Sequence, residues 1–74
     1  MPLIYYLNLT GYNCPTPQIE TKKALNNMAY GDLLEITVSH LACYNAIIDM
    51  AQNLGHRIIS SINNGNSYVV VVRK

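Results

Sequence analysis

The sequence predicts an α+β fold, a two-layer sandwich in which two helices cover one face of a four-stranded mixed sheet. The chain has 74 residues, half of them apolar, which suits a single domain over residues 1–74 with one small core. Four short apolar runs have the composition of strands, and two longer segments have helical periodicity. Their order is β-α-β-α-β-β, and two helices that each bury one face against such a sheet form a second layer.

The first strand and the first helix are predicted on either side of a loop that contains Cys14. The run "LIYYLNL", residues 3–9, is apolar and aromatic and indicates a strand. Gly11 marks the loop. The helix is predicted from about Pro15 to Met28, because proline fits the first helical turn. Its inward face is predicted to hold Pro17, Thr21, Ala24, Leu25 and Met28.

The second half of the chain is predicted to supply three strands and one helix. The runs "LLEITVS" (33–39), "HRIISSI" (56–62) and "SYVVVVR" (67–73) are rich in β-branched residues, and "NNGN" has the chemistry of a hairpin turn. The valine run predicts a central strand or one buried on both faces. Between the first two runs a helix is predicted from about Leu41 to Asn53, with Gly55 in the left-handed position after it. Its inward stripe is predicted to be Tyr44, Ile47, Ile48, Ala51 and Leu54.

Composition argues against several classes of partner. A net charge of +1 without a clustered basic face argues against nucleic-acid binding. No apolar run reaches the length of about 18 residues that a membrane helix needs. The N-terminus lacks a basic segment followed by a small-residue cleavage site, so we expect no signal peptide and a cytoplasmic location.

The two cysteines, Cys14 and Cys43, are the candidates for reactive chemistry. They could form a disulfide, but such bonds are rare in cytoplasmic proteins, so we expect free thiols. There is no C-x-x-C pair and no Cys/His cluster, so we expect no metal site. Cys43 lies at the edge of the apolar stripe of the second helix and is interpreted as a structural residue.

Cys14 lies where the first helix is predicted to begin. The positive end of a helix favours a thiolate over a thiol. Pro15 and Pro17 fix the backbone there, which we expect to hold the sulfur outward. Because His40 and His56 are distant in sequence, the residues favour a cysteine that carries a group over one that cleaves a bond. The alternative is that Cys14 is a small buried hydrophobe.

The stretch "NLTGYNCPTPQIETKKAL" resembles the opening of the TusA/SirA family of small sulfur-carrier proteins. The later stretches "GDLLEI", "LGHRII" and "YVVVVRK" resemble that family as well, so the resemblance covers nearly the whole chain. It implies the same β-α-β-α-β-β sandwich. It also implies that Cys14 accepts sulfur as a persulfide from a cysteine desulfurase or a rhodanese. The sulfur is then relayed to an acceptor protein, in tRNA thiolation, thiosulfate use or other sulfur metabolism.

The resemblance implies a sulfurtransferase-type carrier rather than a stand-alone enzyme. We expect a monomer without a cofactor other than the transient persulfide. Gly11, Pro15 and Pro17 are expected to support the motif. The candidates for docking a donor or acceptor protein are Tyr12, Thr16, Ile19, Lys22 and Lys23. The chain departs from the family pattern, mainly by loss of charge, at Asn8, Thr10, Thr16, Ser39, His40, Leu41 and Ala46.

Two other functions remain open from the sequence. The neutral surroundings of the motif favour a non-catalytic regulatory or protein-interaction module with the same fold. Binding of RNA or DNA through the α/β surface is a further hypothesis, which the low charge disfavours.

Overall fold

The computed structural model describes residues 3–14 and 16–74 and contains one sheet and two helices. The order of the elements confirms the prediction. They are β1 (Ile4–Asn8), α1 (Thr16–Asn26), β2 (Leu33–Val38), α2 (Leu41–Asn53), β3 (Arg57–Asn63) and β4 (Tyr68–Arg73).

The sheet is mixed, with the strand order β1-β2-β4-β3. β1 and β2 pair in parallel, and β4 pairs antiparallel with both β2 and β3. β4 is therefore central, as its valine run predicted. Because β1 and β2 are parallel, their carboxyl ends meet at one edge of the sheet. Both helices follow those ends, so α1 and α2 begin at the same edge.

Burial alternates along β2 with the period expected of a strand. Leu34, Ile36 and Val38 are buried, whereas the residues between them are partly exposed on the other face. The buried side of the sheet packs against both helices, with Leu25 of α1 and Ile47 of α2 among the core residues. Each fully buried aliphatic side chain stabilises the fold by about 1.5–3 kcal/mol.

The predicted inward faces of the helices are largely confirmed. Pro17, Thr21 and Leu25 of α1 are buried, and Ala51 of α2 is buried as well. The prediction for Leu54 was wrong, because its side chain is 46% exposed. α2 ends at Asn53, Leu54 is its C-cap, and the chain turns at Gly55 with φ of 85°. The side chain of Leu54 therefore leaves the stripe that faces the sheet.

A buried carboxylate fixes the turn that precedes β2. Asp32 is 6% exposed. Its Oδ1 accepts a hydrogen bond from the backbone N–H of Leu3 at 3.1 Å, and its Oδ2 accepts one from that of Ala29 at 3.2 Å. The carboxylate thus joins the segment entering β1 to the segment leaving α1, and it satisfies two backbone donors that lie outside the ladders.

Within the described part of the chain, no helix is both long enough and apolar enough to cross a membrane.

Candidate functional site

The loop that carries Cys14 begins at Leu9, which is buried at the edge of the sheet where β1 ends. Leu9 is 5% exposed, and its N–H donates to the carbonyl of Thr37 at 2.7 Å. The N–H of Tyr12 donates back to the carbonyl of Leu9 at 3.3 Å, which closes a turn. The loop is therefore attached to β2 at its start and approaches the beginning of α1 from there.

Gly11 gives this loop its second attachment to β2. Its N–H donates to the Oγ of Ser39 at 3.0 Å, directly after the end of β2. Gly11 has φ of 87°, a conformation that costs other residues about 1–2 kcal/mol. A Cβ at Gly11 would meet no atom within 4 Å, so the reason for glycine is backbone conformation rather than space.

Asn8 and Thr10 make side-chain hydrogen bonds at the start of the loop. The Oδ1 of Asn8 accepts hydrogen bonds from the N–H of Thr10 at 3.1 Å and from its Oγ1 at 2.8 Å. Together with the Ser39 contact, these bonds form a neutral network. The loop is thus shaped by neutral hydrogen bonds that involve Asn8, Thr10 and Ser39.

Cys14 is exposed and lies just ahead of α1. The N–H of Thr16, the first residue of the helix, donates to the carbonyl of Asn13 at 3.0 Å. Pro17 is buried in the first turn, and Pro15 lies outside the described residues. The interpretation of Cys14 as a buried hydrophobe was wrong, because the residue is open to solvent.

The expectation of two free thiols was also wrong, because Cys14 and Cys43 are joined by a disulfide. Their Cα atoms are 5.7 Å apart, although 29 positions separate the two residues in sequence. Cys43 lies in the first turn of α2 and is 1% exposed. The topology explains the pairing, because the parallel strands β1 and β2 bring the beginnings of both helices to one edge of the sheet. Cys43 is buried, as a structural cysteine would be, but it contacts the motif cysteine directly.

Four of the five docking candidates are exposed near this edge or along the outer side of α1. Tyr12 is 53% and Ile19 is 48% exposed. Lys22 and Lys23 are exposed as well, and the Nζ of Lys23 lies 3.8 Å from the Oε1 of Glu20. Tyr12 belongs to the cysteine loop, and Ile19, Lys22 and Lys23 are exposed on α1, the helix that follows it.

Thr16, the fifth candidate, is only partly exposed. His40, the N-cap of α2, follows the carboxyl end of β2 and so lies at the edge where the cysteine loop begins. Its place there depends on the pairing of the strands and could not be read from its position in the sequence. Among the residues that the structure describes, no group of three His, Cys, Asp or Glu side chains is placed to hold a metal ion.

Comparison with known proteins identifies the family. Residues 5–74 match the family model described as sulfurtransferase TusA, so this chain belongs to the TusA family. A proposed sulfur carrier protein of Thermotoga maritima is 36% identical over 53 residues, which are 72% of this chain and 67% of that protein. The sulfur carrier protein TusA of Allochromatium vinosum is 26% identical over 92% of this chain and 90% of its own length.

A solved structure shows the same fold. The crystal structure of a SirA-like protein from Desulfitobacterium hafniense superposes with a TM-score of 0.84 and covers 96% of both chains at 22% identity. The β-α-β-α-β-β sandwich predicted from the sequence is therefore confirmed both by the elements of this chain and by a structural neighbour.

Proposed function

We propose that this chain is a sulfur carrier that holds one sulfur atom as a persulfide on Cys14. The observation that carries the proposal is the position of Cys14, exposed at the beginning of α1 in a chain of the TusA family. An exposed cysteine beside a helix N-terminus combines access for another protein with electrostatic support for the thiolate. The relatives named sulfur carrier proteins support the same assignment.

Loading and unloading of Cys14 are both thiol exchange reactions. In loading, the Cys14 thiolate attacks the outer sulfur of a persulfide on the donor protein, and the donor thiolate leaves. In unloading, a thiolate of the acceptor attacks the outer sulfur on Cys14, and the Cys14 thiolate leaves. The beginning of α1 stabilises that thiolate in both directions, so the same feature supports acceptance and release.

The disulfide with Cys43 sets a condition for this function. A sulfur atom bonded to Cys43 cannot accept another sulfur from a donor, so the carrier form is the one in which both cysteines are reduced. We propose that the donor is a cysteine desulfurase or a rhodanese. The proposed docking site comprises Tyr12 of the loop and Ile19, Lys22 and Lys23 of the helix that follows it, since these exposed side chains combine apolar with basic groups.

The test is to load reduced protein with a cysteine desulfurase and cysteine, and in parallel with a rhodanese and thiosulfate. We expect the Cys43→Ser variant to gain about 32 Da, one sulfur atom, by intact mass spectrometry. The Cys14→Ser variant, whose remaining cysteine is buried, should gain nothing and serves as the matched control. An equal gain by both variants, or none with either donor, would refute the proposal. The second result would favour the protein-interaction module.

A further inference from the structure

We propose that Cys43 is a second reactive thiol, which discharges the Cys14 persulfide within the molecule and releases its sulfur as sulfide. This inference rests on the proposed function, because it needs sulfur on Cys14. It adds an activity to the carrier, namely release of sulfide without an acceptor protein. It also makes Cys43 a catalytic residue rather than a structural one.

In the disulfide form, the backbone holds the two residues at the distance that the product of this reaction requires. The Cα atoms of Cys14 and Cys43 are 5.7 Å apart, inside the range of about 4.4–6.8 Å found for bonded cysteines. Both positions are anchored, since the loop of Cys14 is bonded to β2 through Leu9 and Gly11, and Cys43 belongs to α2. The sulfur of Cys43 can therefore reach that of Cys14 while the fold stays intact.

The two cysteines differ in access, and this difference assigns their roles. Cys14 is exposed, so a donor protein can reach it, whereas Cys43 is 1% exposed and lies in the core cluster. An external persulfide therefore meets Cys14 first. Cys43 can react only with a sulfur that is already bound at Cys14, which is the arrangement of an attacking cysteine with a resolving partner.

Burial in the core disfavours the Cys43 thiolate, and the position of Cys43 in α2 offsets part of that cost. It lies in the first turn of α2, where the unpaired N–H groups of a helix give positive partial charge. His40, the N-cap residue, makes no side-chain hydrogen bond to these groups. Both members of the pair thus lie at the positive end of a helix, one just ahead of α1 and the other inside α2.

The reaction balances without an added oxidant. The Cys43 thiolate attacks the Sγ of Cys14, and a bond forms between the two cysteine sulfurs. The bond between that Sγ and the outer sulfur breaks, and the outer sulfur leaves with the electron pair as hydrosulfide. The two cysteines lose two electrons and the outer sulfur gains two. An external dithiol then reduces the disulfide by two exchange steps and restores the carrier form.

A single-turnover experiment tests the discharge. Reduced wild type, Cys43→Ser and Cys43→Ala are loaded by a desulfurase with cysteine, separated from the donor, and followed by intact mass and by assay of sulfide. Wild type should lose the adduct at least about tenfold faster than either variant, because its attacking thiol is intramolecular. It should release one sulfide for each persulfide and end about 2 Da lighter than the dithiol, as a disulfide requires.

The possible failures are distinguishable. If Cys43→Ser holds its adduct and wild type holds it equally long, Cys43 does not resolve the persulfide, although the carrier function stands. If Cys43→Ser takes up no adduct from any donor, the carrier function fails and this inference fails with it. Loss of sulfur from wild type without formation of the disulfide would also overturn the inference.

The reverse reaction gives a readout on the wild-type protein, so it does not depend on how well a variant at a buried position folds. Sodium sulfide is added to the oxidised protein, the products are alkylated, and the modified peptides are mapped. Because only Cys14 is exposed, we expect the persulfide on Cys14 and a free thiol at Cys43. A persulfide on Cys43, or a disulfide that does not react with sulfide, would overturn the assignment of roles.

Discussion

Reduction of the Cys14–Cys43 bond should lower the stability of the folded protein substantially. The bond closes a loop with a sequence separation of 29. The chain-entropy relation gives such a closure about 3.6 kcal/mol at 25 °C, by restricting the unfolded chain. A chain of 74 residues has a total stability of about 4–11 kcal/mol. The bond therefore accounts for a third or more of the free energy of unfolding.

Urea unfolding, followed by circular dichroism with and without a reductant, measures this contribution. We expect the reductant to lower the free energy of unfolding of wild type by about 3.6 kcal/mol. The control is Cys14→Ser, which cannot close the loop and changes only an exposed residue. Its unfolding curve should be the same with and without the reductant, and it should lie near the curve of reduced wild type. A shift below about 1 kcal/mol for protein with a verified disulfide, or an equal shift in Cys14→Ser, would refute the reasoning.

Two other predictions concern buried polar groups. Asp32→Ala deprives the N–H groups of Leu3 and Ala29 of a charged acceptor, so it should cost about 2–4 kcal/mol in urea unfolding under reducing conditions. Asp49→Ala, at an exposed site on α2, should cost far less, and equal costs would contradict the role of Asp32. The Oγ1 of Thr21 is buried and has no hydrogen-bond partner among the described residues, so Thr21→Val should stabilise the protein by about 1 kcal/mol. A loss of stability in the same assay would show that this hydroxyl is hydrogen-bonded in solution.

The element order and the inward faces could be predicted because the local signals agree with each other. The bounds of α2 follow from an apolar stripe with helical spacing and from Gly55, whose φ of 85° suits the end of a helix. The valine run predicted an interior position for β4, and the strand order confirms it. The prediction that Leu54 faces inward failed because Leu54 continues the sequence pattern of the stripe by one position after the helix has ended.

The partner of Cys14 could not be predicted, because it depends on which strands pair. Cys14 follows β1 and Cys43 follows β2, and only the parallel pairing of these strands places both at one edge. The element order permits this pairing but does not require it. The usual scarcity of disulfides in cytoplasmic proteins then argued for free thiols. A usable signal was present, since each cysteine lies close to the beginning of a helix that follows a strand.

Under the proposed function, the stability of the disulfide form bears directly on the fate of a sulfur atom bound to Cys14. Folding and disulfide formation are linked equilibria. A disulfide that raises the free energy of unfolding by about 3.6 kcal/mol is therefore itself more stable, by the same free energy, in the folded chain than in the unfolded chain. Folding therefore raises the tendency of Cys14 and Cys43 to bond by about 400-fold over the unfolded chain. The Cys14 persulfide and the disulfide exclude each other, since both need the same sulfur atom. If Cys14 carries sulfur and Cys43 attacks it, as proposed, an acceptor protein must take the sulfur before that attack, and docking beside the loop would decide whether sulfur is relayed or released as sulfide.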